Sequence, residues 1–597
     1  MTPTPRGTRG PRTEVPVREV TARARQAVDP SAVARGFLAK AALVTASLSL
    51  GGAALGLVRD QSLARLFGAG GEMDAFLVAW TVPEFAATLL VEDGLAFVLI
   101  PAFSAALARG ARDEAGDPVR SLVADTLPRL CLGFVAVSAV IIGGAPYLVE
   151  VLAPGLPDPR LAADCTRLTA TCVLSFGLAG YFSAALRAHR RFLPPATIYV
   201  AYNTGIIAMV LLLGERWGVR SAAAGVAVGG CLMAAVQLPS FWRRLRGGTS
   251  AAECAAEART GVRPVNLALV TTVLLFALCR QSQVLIERFL ASGLPSGAIS
   301  GLNYAQKVAQ IPMTLSLMLC TVTFPVVARA LADGDPERAR ARTERDLVLA
   351  CCVVLLGAAT VVSCAPQIIE LLFQRGAFTA RDTAATTDIL RVYATGLLGQ
   401  TLVGVLIRSY FSTGRPTWYP VGAMAAGIAA TSSIGAGTVG PWGVAGIAAA
   451  NAAGITLTAA LLLTGLRHDP GRPADVRGAG VTAQWRPESA APQPPPGPAA
   501  AAPGPVPRHG VRRGVPVRVP RVLAELGRLV LAATGATAAG AFAANGPASP
   551  AAGLTAGCVT VTAVFLLLGR ALGAQGCTAA LHSAHSLTRR LTHGHCA

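Results

Sequence analysis

Charge is what this chain has least of. Of its 597 residues only 14% are Asp, Glu, Lys or Arg, Lys40 and Lys307 are its only lysines, and aromatic residues make up 6%. A soluble domain spends about a quarter of its residues on charge to keep its surface in water, so a water-solvated globule is excluded. The chain also lacks a phosphate-cradling GxxxxGK[ST] loop, an HExxH helix and a GxSxG elbow, which leaves no recognisable enzyme site and no cofactor to expect. Of its thirteen cysteines most, such as Cys131, Cys172, Cys279 and Cys351, sit inside apolar runs as small buried hydrophobes. His582, His585, His593, His595 and Cys596 carry no spacing that fixes a metal, and none is expected.

What is abundant is apolar sequence: 53% of residues, with a mean hydropathy of +0.52. Runs of roughly 20 apolar residues cross a bilayer as helices. Such runs lie near 38–57, 76–103, 129–152, 166–186, 195–213, 221–241, 265–290, 301–328, 347–372, 389–411, 418–436, 442–465, 522–544 and 551–572. They predict an all-α polytopic membrane protein of about fourteen transmembrane helices. The expected plan is a basic tail (1–36), a six-helix lobe (37–246), a second (262–466), a Pro-rich linker (467–520), a C-terminal helix pair (521–573) and a last tail (574–597). The segment APQPPPGPAAAAPGPVP cannot build a core, hence the linker.

The net charge of +20 is almost all arginine in alternate loops, for example Arg187, Arg190 and Arg191, then Arg243, Arg244 and Arg246. That is a positive-inside pattern rather than a nucleic-acid surface, and it places both termini in the cytoplasm of an inner-membrane protein. The two halves also share a plan. Phe67 to Pro101 parallels Leu290 to Pro325, each a Gly-rich turn leading into a long helix with an internal proline, Pro83 or Pro312.

A charge deep in a span costs roughly 2.5 to 3.5 kcal/mol on insertion scales, so each one requires a partner, water or a function. Glu84, Thr88 and Glu92 fall at i, i+4 and i+8 on span two, with Asp74 at its outer end. Arg280, Gln283 and Glu287 make a stripe on span seven, and Lys307 follows Gln306 on span eight. A hydrated chamber between the halves, able to hold an anionic lipid head group, accounts for Glu84, Glu92, Arg280 and Lys307. Arg59, Asp60, Asp74 and Arg288 lie near helix ends, where interfacial anchoring explains them equally well.

LGLVRDQSLARLFGAGGEMDAFLVAW (Leu55 to Trp80) resembles the signature of the MurJ (MviN-like) lipid II flippase family. APG at Ala153, RFLPPA with Asn203 downstream, QLP at Gln237, FLASGLPSGAISGLNYAQKVAQIP at Phe289 and LFQRGAFTA at Leu372 resemble further family motifs in order. The resemblance covers residues 37–465 and implies a multidrug/oligosaccharidyl-lipid/polysaccharide (MOP, MATE-like) exporter fold. It implies alternating-access movement of an undecaprenyl-pyrophosphate-linked peptidoglycan precursor, a polyprenyl-pyrophosphate-linked glycolipid, with cell-wall synthesis proteins as further partners. Arg59 and Asp74 match family positions, and Lys307 stands where the family has Arg. The chain departs on span two. Glu84, Phe85, Ala86, Ala87 and Thr88 replace a stretch that in the family carries two arginines, and Gln306 replaces an Asp. Arg280 is the expected source of replacement charge, and Glu287 resembles a cation-site acid. A paralogue that flips another polyprenyl-linked glycan or exports a drug or cation, and a transport-inactive scaffold, remain as alternatives.

Overall fold

The structure, a computed structural model, describes residues 30–92, 94–110, 117–247, 267–332, 336–411, 417–467, 517–574 and 576–577. Most of the expected tails and of the linker, and the C-terminal histidines, fall outside the described residues, while 30–36 of the expected N-terminal tail belong to the first helix. Among the described residues the chain is helical, with one isolated bridge, Arg467 to Val517, and no strand. Lipid offers backbone groups no hydrogen bonds, so each apolar run satisfies its own N–H and C=O groups by coiling.

The helices are α1 (Pro30–Phe67), α2 (Gly71–Ala79), α3 (Thr81–Ala86), a π turn (Ala87–Glu92), α4 (Gly94–Gly110), α5 (Pro118–Leu152), α6 (Pro159–Ala170), α7 (Cys172–Ala188), α8 (Ile198–Trp217) and α9 (Arg220–Gly247). Next come α10 (Leu267–Ala291), α11 (Ala298–Ala332), α12 (Pro336–Ser363), α13 (Ala365–Phe373), α14 (Ala380–Ala394), α15 (Leu397–Phe411), α16 (Tyr419–Gly465), α17 (Val519–Ala544) and α18 (Pro550–Ala571). Their starts are written locally. Asp117 accepts from Val119 and Arg120 N–H ahead of α5, Asp158 caps α6 at 3.0 Å from Leu161 N, and Thr379 with Asp382 forms a capping box on α14.

The described residues of the expected segments lie mostly on helices, several of them interrupted. Among the described residues ten helices are long and apolar enough to cross a membrane, or up to eleven with the bent pair α14 and α15 counted as one span. The 47 residues of α16 would reach about 70 Å as one rod against a hydrocarbon core of about 30 Å. They break at Gly443, φ +55°, two residues after Pro441. The halves fold back on each other: Thr438 Oγ1 donates to Gly446 O at 3.1 Å, and a Cβ on Gly427 or Gly454 would collide with Thr458 or Thr431. The expected single run 347–372 is likewise interrupted, at Cys364 between α12 and α13.

Helices α1 to α9 pack chiefly among themselves, as do α10 to α16, with sparser contacts between the sets. The pair α17 and α18 lies on α12 and α13. Ser363 Oγ donates to Thr537 O at 2.9 Å and Gln367 Nε2 to Ala544 O at 3.0 Å.

Candidate functional site at the seam between the helix sets

The motifs read from the sequence converge on one rim. Helix α1 stops at Phe67 because Gly68 takes φ +63°, a left-handed value that glycine adopts without strain. The turn after it is bound to the other helix set. Ala377 N donates to Arg65 O at 2.8 Å, and the phenol of buried Tyr304 donates to Gly68 O at 3.2 Å. Asp74, 3% exposed, accepts from the backbone N–H of Gly297 and of Ser300, both at 2.7 Å. Its carboxylate thus caps the start of α11 across the seam, where the helix end offers free N–H groups and a favourable field. Gly155 approaches the backbone of Ser292 and Gly293 so closely that no Cβ fits.

Beneath this rim lies a second layer. Arg288 on α10, 4% exposed, pairs with Glu84 at 2.9 Å and donates to Thr81 Oγ1. Two turns back along α10, Gln281 Nε2 donates to Thr88 Oγ1 at 3.1 Å. The stripe expected from Glu84 through Glu92 does not survive the π turn at Ala87–Glu92. Its i to i+5 pattern inserts a residue and rotates the remainder of the span. Glu84 and Thr88 therefore meet α10, whereas exposed Glu92 accepts from Tyr199 OH on α8 at 2.8 Å. The bulge is seated on α7, where a Cβ at Gly180 would strike Leu90 O.

Arg59 is 9% exposed and engaged within the first helix set. Its guanidinium donates to Asp60 at 2.7 and 2.9 Å and to Asn203 Oδ1 at 3.0 Å, and it lies 4.9 Å from the centre of the Trp80 ring. Asn203 in turn donates to Gly52 O, holding α1 against α8. In the second set Glu287, 6% exposed, accepts from Asn451 Nδ2 on α16. A void of about 10 Å³ lined by Glu287, Arg288, Asn303 and Gln306 adjoins it, room for about one water. The Gln283 amide nitrogen, one turn away, is buried with no hydrogen-bond partner among the described residues. Arg280 is exposed on α10. Lys307 is half-buried and has no ion pair or hydrogen bond among the described residues. The structure therefore sets Asp74 and Glu84 in the seam and gathers Glu287 with Asn451, while the hydrogen bonds of Arg59 and Glu92 stay within the first helix set.

Sequence reasoning gave Arg288 no specific partner and overlooked Asn451 and Tyr199. Asn451 was visible as a lone amide in the run AAANAAG, and a polar residue in such a run demands a partner. Nothing local marks Tyr199 as the partner of Glu92.

A nearly all-helical chain with many apolar spans, whose two helix sets meet along a polar seam, has the architecture of a multi-pass membrane transporter of the MOP type. A solved MATE family transporter of the MOP superfamily, in an inward-facing conformation, superposes with a TM-score of 0.54 at 15% identity, over 70% of this chain and 96% of its own. A structure of lipid II flippase MurJ in an inward closed conformation superposes with a TM-score of 0.64 at 16% identity, over 88% of this chain and 98% of its own. The model of the lipid II flippase MurJ family matches residues 63–474, and the chain belongs to that family. In sequence it is 26% identical to the lipid II flippase MurJ of Burkholderia cenocepacia over 383 residues, 63% of this chain and 73% of the relative.

Proposed function

We propose that this chain carries lipid II, the polyprenyl-pyrophosphate-linked precursor of the cell wall, from the inner to the outer leaflet of the cytoplasmic membrane by alternating access. Membership of the flippase family supports the cargo. The observation that carries the mechanism is the seam: three loop contacts along one rim and a part-buried ion pair beneath it tie the helix sets together. In this reading 37–246 and 262–466 are the moving lobes, 521–573 is an accessory pair packed on the second lobe, and the tied rim faces outward with both termini in the cytoplasm. Breaking Asp74 from α11 and Glu84 from Arg288 opens the outer side; re-forming them closes it.

Lys307 and Arg280 are the cations that meet the pyrophosphate in this reading, and Arg59 positions α1 beside them through Asp60, Asn203 and Trp80. The pairing of Glu84 with Arg288 answers the problem raised by the sequence. The added acid would repel the cargo if bare, and it is neutralised in the closed state by a neighbour of opposite charge. Glu287, beside the Asn451 amide, is the candidate site for a coupling cation, since a buried carboxylate suits a hard ion.

The test is rescue of a host depleted of its own lipid II flippase. The wild-type chain should restore growth, and Arg59→Ala, Lys307→Ala and Arg280→Ala should each fail at unchanged protein level. Normal rescue by Arg280→Ala removes that residue from the path. Failure of the well-expressed wild type sinks lipid II as cargo.

A further inference from the structure

Beside the seam, on the first helix set alone, lies a cleft of about 620 Å³, within the roughly 300 to 1,000 Å³ typical of small-ligand sites. Its floor is Leu161 and Leu168, and its rim carries Glu72, Arg216, Trp217 and Arg220. Some of the charge here is engaged: Arg220 pairs with Asp164 at 2.9 Å, and neighbouring Asp158 caps α6. Glu72 and Arg216 are exposed and have no ion pair or hydrogen bond among the described residues. The Glu72 carboxylate leans over Gly218, 3.5 Å from where a Cβ would stand, so it faces the turn that carries Arg216 and Trp217. That turn is built on Gly218 at φ +55° and leaves the indole 52% exposed. Interfacial anchoring accounts for an exposed Trp at a helix end; it does not account for a concave wall bearing an uncommitted acid and an uncommitted arginine.

We infer that this cleft binds a short peptide carrying both a free ammonium and a free carboxylate, joined to a sugar: the peptide arm of the cargo's head group on the outward side. Glu72 would take the ammonium. The Arg216 fork would take the carboxylate, and Trp217 would offer a flat apolar face to sugar or peptide. The inference rests on the proposed function, because that cargo presents such a head group at this rim. It also supplies a link to opening. Glu72 stands two residues before Asp74 in the first turn of α2, so a ligand that engages Glu72 acts on the same turn that caps α11.

The experiment uses the full chain in nanodiscs and a lipid-free disaccharide–pentapeptide, titrated by calorimetry. Companion probes are the disaccharide alone and the same glycopeptide with its amine acetylated and its carboxylates amidated. Saturable binding of the first probe, at least tenfold weaker for the others, is expected. Glu72→Gln and Arg216→Gln should each weaken it at least tenfold with thermal unfolding unchanged. No saturable binding, equal binding of the capped probe, or wild-type affinity in both variants overturns the inference. So does binding lost in Arg59→Ala but kept in Glu72→Gln, which would place the probe in the central chamber. Lipid II transport by the same preparation in proteoliposomes separates the two levels. Intact transport without cleft binding defeats this inference alone, and absent transport in a folded protein defeats the proposed function.

Discussion

Replacing Glu84 with Gln removes a negative charge from a site where Arg288 is buried and where its other hydrogen bond among the described residues goes to Thr81, with Glu287 the acid remaining nearby. Losing one partner of a buried pair costs about 3 to 5 kcal/mol because the other charge stays desolvated. The Glu84 side chain is 27% exposed, so water screens part of the pair and about 2 kcal/mol is the fairer figure. That cost falls on the tied state, since in an opened seam Arg288 regains water. At 1.4 kcal/mol per factor of ten the open population should rise about 30-fold. Amide hydrogen exchange reads this directly, because Gly297 N and Ser300 N are held by Asp74 and Ala377 N by Arg65 O. Peptides covering these amides should exchange about 30-fold faster in Glu84→Gln under conditions where exchange reports the open fraction. The double variant Glu84→Gln with Arg288→Gln should return most of the way, because neither member of the pair is left without the other. Unchanged protection in the single variant, or a double variant as fast as the single, would refute the pair as a clasp.

Asp74→Asn keeps one acceptor but turns an amide NH2 toward a backbone N–H, so protection of residues 297–300 should fall by the equivalent of about 1 to 2 kcal/mol, with exchange at helix α5 unaffected. Gly180→Ala drives a methyl into Leu90 O and must displace the π turn; thermal unfolding in detergent should show a loss of about 1 to 3 kcal/mol. Gly427→Ala forces Thr458 off the hairpin of α16 and should lower stability by a similar amount. Lys307→Arg should rescue growth at least as well as wild type, since its charge is retained and a bidentate fork is gained; rescue by Lys307→Ala would show that this charge is dispensable.

Hydropathy alone placed the helices, because each span must satisfy its backbone internally and so needs only an unbroken apolar run. It misjudged the places where a helix deviates without a polar signal. The π turn at Ala87–Glu92 is written in ATLLVE, which reads as ordinary helix; what calls for it is Gly180 on α7, 90 residues away, whose missing side chain admits Leu90. The break at Cys364 differs, since Pro366 in the first turn of α13 marks it locally. Charged residues could be identified as costly, but their partners could not, since Arg288 finds Glu84 across 204 positions and Asn451 finds Glu287 across 164. Asp74 was identified by its motif, yet its partners are two backbone N–H groups, which no side-chain pattern can announce.

Several of the stretches that resemble the family meet at the rim: FGAG against RGAF, APG against ASG, and the Asp-Ala-Phe helix start against the first turn of α11. Glycine dominates there because two backbones touch, and a Cβ at Gly155, Gly297 or Gly376 would hold them apart. Contacts made of single hydrogen bonds, each worth about 1 kcal/mol net, can be broken one by one, as a gate requires. The departure on span two has the same logic. In the proposed function a bare Glu84 would repel a pyrophosphate cargo, whereas Glu84 engaged by Arg288 adds a charge-assisted tie beneath a rim built from neutral donors and one carboxylate. This chain should therefore hold its rim closed more firmly than a relative with an uncharged residue at that position, and opening it should depend more steeply on salt.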